Sequence, residues 1–321
     1  MNIPLLIVIL YVLLLFCISI YVSYSQKKDS ENFLLYKGKN NAFVVAASIA
    51  GLAIGGASTI GIAENAFTVG LSAGWYDTAW AIGAVVSSML AVRYLRRSQY
   101  TTISGLVRDL YGTKTSFIMV IAMCIIQSGI IALQYKAGGS ILASLLPDAE
   151  ASVALPMILM SIPPVLGGIT LSGLWAADMG TGCSMIIGLA TTVSTDIIGK
   201  IPGVSLNDRQ KHILNKVIVV LSSLVTYLIA TQMGAILSAM QKALSLAIGT
   251  SFIVIGGLLC PKFSSRKAGF WTIMASIVSI VAWNMVPALV PVFKNVGFFM
   301  LAVCGAVFIL ISLVDPEKVK Q

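Results

Sequence analysis

The length of the apolar runs limits what this chain can fold into. Met1 is followed by apolar residues to about Tyr24, and comparable stretches recur as far as Val314. A helix needs about 20 mostly apolar residues to cross a hydrocarbon core roughly 30 Å thick. Backbone polar groups in lipid must be bonded internally, so only helices and closed barrels span it. A barrel strand alternates apolar and polar residues, and these runs are continuous. Apolar residues make up 58% of the 321 positions and charged residues 10%, against roughly 25% charge in a soluble domain. The reading is an all-α integral membrane protein, with residues 1–321 forming a single transmembrane domain.

Nine transmembrane helices are predicted: Met1–Tyr24, Ala42–Val69, Trp75–Leu95, Ser116–Leu145, Ile169–Ile198, Ile213–Met233, Lys242–Leu259, Ala268–Val286 and Val296–Val314. The first run lacks a basic leader and is long enough to span, so it is expected to be retained. Thr101–Tyr111 is short and amphipathic and is expected at the interface. Ala154–Pro164 is too short and too proline-broken to span. Lys and Arg set the orientation. With the N-terminus outside, 18 of the 21 basic residues fall on the inner side, and only Lys136, Lys242 and Lys294 do not. The N-terminus is therefore expected out and the C-terminus in, in a multi-pass protein of the cell membrane. The net charge of +9 is explained by this bias, and no nucleic-acid partner is expected.

Five cysteines, an odd number without a CxxC pair, are read as buried free thiols. His212 is the only histidine and is read as a residue of a basic loop. No metal-ligand spacing, phosphate-binding loop or nucleophile–base set is present. The chain is not read as an enzyme, and no cofactor is expected.

Two segments break the apolar rule. The first, Ala47 to Gly70, carries Gly51, Gly55, Gly56, Gly61 and Gly70, with Ser58, Thr59, Glu64 and Asn65. Each glycine weakens a helix by about 1 kcal/mol relative to Ala. Either the helix is interrupted, freeing carbonyls that can coordinate Na⁺, or small residues allow close packing, as in Gly51-xxx-Gly55. Glu64 is read as a hydrated or hydrogen-bonded carboxyl before an ion ligand. The second segment runs from Trp175 to Asp196. Ala177 and Thr181 are four apart and share a helix face, with Asp178 beside them. A hydroxyl, carbonyls near Gly180 and Gly182, and a carboxylate make a surface suited to a hard cation. The alternatives are a Thr181 hydroxyl bonded back to its own helix and an Asp178 held in an interhelical hydrogen bond. Thr191, Thr192, Ser194 and Thr195 are expected to be structural or to line a pathway.

These segments also carry a resemblance. GGASTIGIAENAFTVGLSAGW resembles the second helix of the sodium:solute symporter family, and GLWAADMGTGCSMIIGLATTVSTDIIGK resembles its later signature. NDRQKHILNKVIVVL and KALSLAIGTSFIVIGGLLCPKF fit the two helices that follow. The resemblance implies a LeuT-like fold of inverted five-helix repeats, here partial. Residues 1–146 resemble the family's first four helices and 155–321 its last five. Four central helices are missing at a junction near 146–155.

What the resemblance implies about the site can be placed residue by residue. Its sodium-binding set falls on the carbonyls of Gly51 and Ile54 and on Ala177, Gly180 and Thr181. Gly180 stands where the family has Ser, so one hydroxyl ligand is absent, and Asp178 is the candidate to compensate. Ala53, Ser58, Glu64 and Asp178 are candidate ion- or substrate-pathway residues. The implied function is coupling of Na⁺ entry to uptake of a small organic solute by alternating access. The other reading is an internally deleted, non-transporting remnant or a binding and regulatory membrane module. In either case a second copy or another membrane chain would cover the helix faces left open in the bilayer.

Overall fold

The computed structural model describes residues 2–25, 41–90, 92, 94, 100, 102–146, 154–201, 207–234 and 236–319. Among them the regular elements are helices, with one isolated antiparallel bridge between Ser265 and Lys318. They are α1 (Ile3–Ser25), α2 (Ala42–Ala53), α3 (Ile62–Val69), α4 (Trp75–Leu90), α5 (Ile103–Tyr111), α6 (Thr113–Leu145), α7 (Ala154–Ser161), α8 (Pro164–Thr191), α9 (Asp208–Thr231), α10 (Ile236–Leu259), α11 (Arg266–Met285), α12 (Leu289–Phe293) and α13 (Val296–Val314). A wide π turn, Ala57–Gly61, precedes α3, and a 3₁₀ turn, Gly70–Gly74, precedes α4.

Seven helices among the described residues are long and apolar enough to cross a membrane: Ile3–Tyr24, Thr113–Leu145, Pro164–Lys200, Gln210–Thr231, Ile236–Leu259, Arg266–Met285 and Val296–Val314. An eighth candidate is a bent pair, Ala42–Ala53 with Ser58–Leu90, whose parts meet at 57°. The expected count of nine is thus reached only if Ala42–Val69 and Trp75–Leu95 span separately. Ala42–Val69 does not do so as a continuous helix. α2 has 12 residues and ends at the Gly55–Gly56 pair, and α3 has 8 and ends where Gly70 turns to φ +69°. α4 has 16, and Leu95 lies outside the described residues. The proposed junction also lies largely outside them, since 147–153 are not described. His212, expected in a loop, belongs to the first turns of α9, which opens with a capping box of Asn207 and Gln210. All five cysteines are free, but only Cys304 is buried; Cys17 and Cys183 are exposed on their helices, and Cys260 is exposed just past the end of α10. Apolar helices in this chain leave much of their surface open, so an apolar run does not by itself bury a thiol.

The chain divides into two compact units. One comprises Met1–Thr78, Ile130–Thr191 and Ser205–Leu237, and the other Ala79–Gly129, Thr192–Val204 and Ser238–Gln321. In the first, α8 is the central helix and packs against α1, α2, α7 and α9. The approach of α1 is close: a Cβ on Gly168 would lie 2.7 Å from the Ile7 side chain and 3.1 Å from Pro4 Cα. The Asn2 amide donates to Leu145 O at 2.7 Å, tying the start of α1 to the end of α6.

The second unit has a denser apolar core. α5 buries Leu106, Val107, Leu110 and Tyr111 along one stripe, as an amphipathic helix should. It ends at Gly112, φ +94°. Met119, Ile253, Ala268, Ile273 and Phe308 complete this core. The Tyr111 hydroxyl donates to Ile253 O at 2.7 Å, and burial pushes its phenol up to about 12. At the C-terminus, Ser265 caps α11 by accepting the Lys267 and Ala268 amides. Its hydroxyl donates to Asp315, which also takes Lys267 Nζ at 3.2 Å.

Candidate functional site

The site begins with a helix whose own hydrogen bonds are diverted. In a regular helix the amides of Gly55 and Gly56 would reach back four residues to the carbonyls of Gly51 and Leu52. Here the Gly55 amide donates to Ser58 Oγ at 3.0 Å and the Gly56 amide to Gln134 Oε1 at 2.9 Å. Ser58 in turn donates to Gly55 O at 2.9 Å. Two carbonyls near the end of α2 are therefore released from the helix.

Only glycine fits at the turn. A Cβ on Gly55 would lie 2.5 Å from Thr181 Oγ1 and 2.9 Å from Gln134 Oε1. One on Gly56 would overlap both Asp178 Oδ1 and Ala137 Cβ. The absence of side chains lets the break seat directly against α6 and α8.

The released carbonyls meet Thr181. Its Oγ1 lies 3.1 Å from Gly51 O and 3.1 Å from Leu52 O. A hydroxyl has one proton to donate, so it serves one carbonyl at a time. Three oxygens then share a single proton, an arrangement that favours a small hard cation, whose preferred ligands are oxygens. The Thr181 hydroxyl is thus directed across to α2 rather than back along its own helix.

The expected residues are distributed as follows. Gly51 and Thr181 are brought together. Gly180 adjoins them, and a Cβ there would lie 3.1 Å from Gly51 O. No hydrogen bond from Thr181 Oγ1 to the Ile54 carbonyl is formed among the described residues; the Ile54 amide closes α2 on Ala50 O at 2.8 Å and its side chain is exposed. The second carbonyl at Thr181 belongs to Leu52. Ala177 is half-buried one turn before Thr181, and Ala53 is half-buried at the end of α2. Ser58 is buried and holds the break closed through its bonds to Gly55. Glu64 is half-buried on α3, which packs on α7.

Asp178 is buried near the middle of α8, between two glycines. Its Oδ1 faces Gly56, and a Cβ on Gly138 would lie 3.0 Å from its Oδ2. The interhelical hydrogen bond expected for it is not formed at Oδ1, which has no hydrogen-bond partner among the described residues. The Gly56 amide also faces this carboxyl, but its hydrogen bond goes to Gln134.

Beside these residues lies a cavity of about 440 Å³. One wall is a face of α6 with Ile131, Gln134, Tyr135 and Gly138 at helical spacing. The other is a face of α8 with Trp175, Asp178, Gly182 and Ile186. Tyr227 of α9 closes it, its ring 5.9 Å from Tyr135 and edge-on to it. Most of the lining is apolar; Asp178 and Gln134 are its buried polar members.

Sequence reasoning passed over Gln134, because an uncharged amide raises no alarm inside an apolar helix. Its position within a 33-residue helix was the available signal, since buried amides bond across membrane helices. Leu52 gave no signal, because it contributes only its backbone. No family model matches the chain, and no curated protein or solved structure shows significant similarity to it.

Proposed function

We propose that the chain is a membrane transporter of the sodium:solute symporter type, coupling Na⁺ entry to uptake of a small organic solute by alternating access. One observation carries this reading: the carbonyls of Gly51 and Leu52, freed by the broken helix, converge with Thr181 Oγ1. Broken helices near the bilayer midplane supply ion ligands in secondary transporters. Na⁺ would bind these three oxygens, with the Ala177 carbonyl as a further candidate from the resemblance; Gly180 lacks the hydroxyl that the family has there. The partial LeuT-like arrangement, the outside N-terminus and the cell-membrane location belong to the same proposal.

A second reading is a non-transporting binding or regulatory module. It is favoured by α2, which has no buried residue and packs on α8 while its other face stays open. In the bilayer that face would meet lipid, a second copy or another chain.

The test is a melting curve of the purified protein in detergent, in NaCl and in KCl at equal ionic strength. A ligand of the folded state stabilises it by about 2.7 kcal/mol at a hundredfold excess over Kd. A sodium-specific rise in Tm that Thr181→Ala removes supports the ion site. A cooperative melt indifferent to sodium would sink it. Sodium binding without sodium-driven uptake in proteoliposomes would select the second reading.

A further inference from the structure

Three residues that line the cavity between α6 and α8 carry buried polar atoms without hydrogen-bond partners among the described residues: Asp178 Oδ1, Gln134 Nε2 and Trp175 Nε1. One is an acceptor on an acidic group and two are N–H donors. Leaving buried polar atoms unpaired is costly, and so is placing a carboxylate within a membrane helix. Three in one cavity define the complement of a missing ligand. Asp178 and Gln134 are 5% and 4% exposed, so bulk water does not serve them.

Among the described residues no cationic side chain lines the cavity. Lys136, next in sequence to Tyr135, is not part of the wall, and its ammonium donates to Met233 O. Asp178 thus has no counter-ion on the cavity wall among the described residues. A small cation alone would answer Asp178 and leave both N–H donors unmet. A carboxylate would answer the donors and repel Asp178, and a sugar hydroxyl could donate to Asp178 but would leave its charge unbalanced. A ligand that answers all three and balances the charge carries an ammonium and, close to it, an oxygen acceptor. The remaining walls, Ile131, Leu142, Met179 and the Tyr135–Tyr227 pair, suit an apolar or aromatic remainder and favour a cation over an aromatic face.

We infer that this cavity binds small amino alcohols and related amines with an apolar tail, with Asp178 pairing the ammonium and Gln134 and Trp175 donating to the oxygen. This names the solute class of the transport reading above and rests on that reading for its role, although binding itself can be measured without transport.

Cys183 lines the same cavity and is an exposed free thiol, which supplies a local reporter. The purified protein in sodium-free potassium buffer is alkylated with N-ethylmaleimide, and each cysteine is followed by peptide mass spectrometry. Cys17 and Cys260, also exposed, serve as controls for reagent consumed by the amine. L-Phenylalaninol at ten times its Kd should slow Cys183 about tenfold, by simple occupancy, and leave the controls unchanged. 3-Phenyl-1-propanol, which lacks the ammonium, should protect far less, and Asp178→Asn should abolish the difference between the two. Trp175→Phe, which keeps a ring and removes the N–H, should weaken phenylalaninol while leaving 2-phenylethylammonium unchanged. This variant decides the matter if Asp178→Asn fails to fold. Equal protection by amine and alcohol, or protection by neither, overturns the inference. Protection here with no sodium effect on melting would sink the symport reading alone, and a sodium effect without protection would sink only this one.

Discussion

The break at Gly55 and the clasp at Ser265 are both places where side chains hold a helix end. At Ser265 the groups close on one another. The hydroxyl caps α11 and donates to Asp315, the Arg266 amide reaches Glu317 O, and the Val319 amide reaches Ser264 O. Lys318 Nζ donates to the carbonyls of Ser312 and Asp315. At Gly55 the amides are satisfied, while the carbonyls they left behind share one hydroxyl proton. A closed set of partners fixes a fold. An oxygen-rich set short of protons leaves room for an occupant that comes and goes. The difference lies in what surrounds each end: paired charges at the clasp, and glycines with a carboxyl lacking a counter-ion at the break.

The largest expected effect comes from filling the break. Gly56→Ala would drive a methyl into Asp178 and Ala137, and overpacking of this kind costs about 1–3 kcal/mol. The variant should melt lower than wild type and lose any sodium response. A normal Tm with an intact sodium shift would show that the break is not tightly seated.

Much of this contrast was legible in the sequence. The glycines from Gly51 to Gly61 left two readings, an interrupted helix or close packing, and the break at Gly55–Gly56 settles on the first; the spacing of Ala177 and Thr181 placed them on one face. The late apolar runs matched their helices closely, Val296–Val314 to the residue, because Asn295 and Asp315 bound a single uninterrupted run. What stayed hidden was tertiary. Nothing local says that the Gly56 amide would turn to Gln134, 78 positions away. A backbone ligand such as Leu52 O is invisible to side-chain reasoning. Whether Trp75–Leu95 crosses separately turns on the Gly70–Gly74 turn, and an apolar stretch does not reveal whether such a turn reverses the chain.

The clasp offers the next effect in size. Ser265→Ala removes an N-cap, a loss of about 1 kcal/mol, and leaves Asp315 without its hydroxyl partner. The Tm should fall modestly, with the sodium response untouched, since the two regions share no residue. A lost sodium response in this variant would break the comparison.

A smaller effect is expected from acid. The Ser265 hydroxyl, with Lys267 beside it, holds the Asp315 carboxyl below its ordinary value of 3.8 despite burial, which acts in the opposite direction. The folded state therefore binds its proton less readily than the unfolded chain. The stabilisation is complete above the ordinary value and is lost as pH falls through the lower, folded one. Melting curves of wild type and Asp315→Asn should differ at about pH 7 and converge only as the pH falls below the carboxyl's ordinary value of 3.8. A gap that stays constant or widens on acidification would contradict the pairing.

The smallest effect should come from Gly51→Ala, and it separates carbonyl from side chain. Gly51 lies in α2, and an added Cβ meets nothing within 4 Å. Replacing a helical glycine by alanine narrows the unfolded ensemble and stabilises by about 0.4–1 kcal/mol where the backbone accepts it. The Gly51 carbonyl, 3.1 Å from Thr181 Oγ1, is unchanged by the substitution. Tm should therefore rise slightly while the sodium shift persists, whereas Gly56→Ala, five residues on, should lose both. If Gly51→Ala were as damaging as Gly56→Ala, the glycines would serve helix packing along the whole face, and the freed carbonyls would be incidental to it. A slight gain with sodium binding kept would locate the demand for glycine at the turn itself.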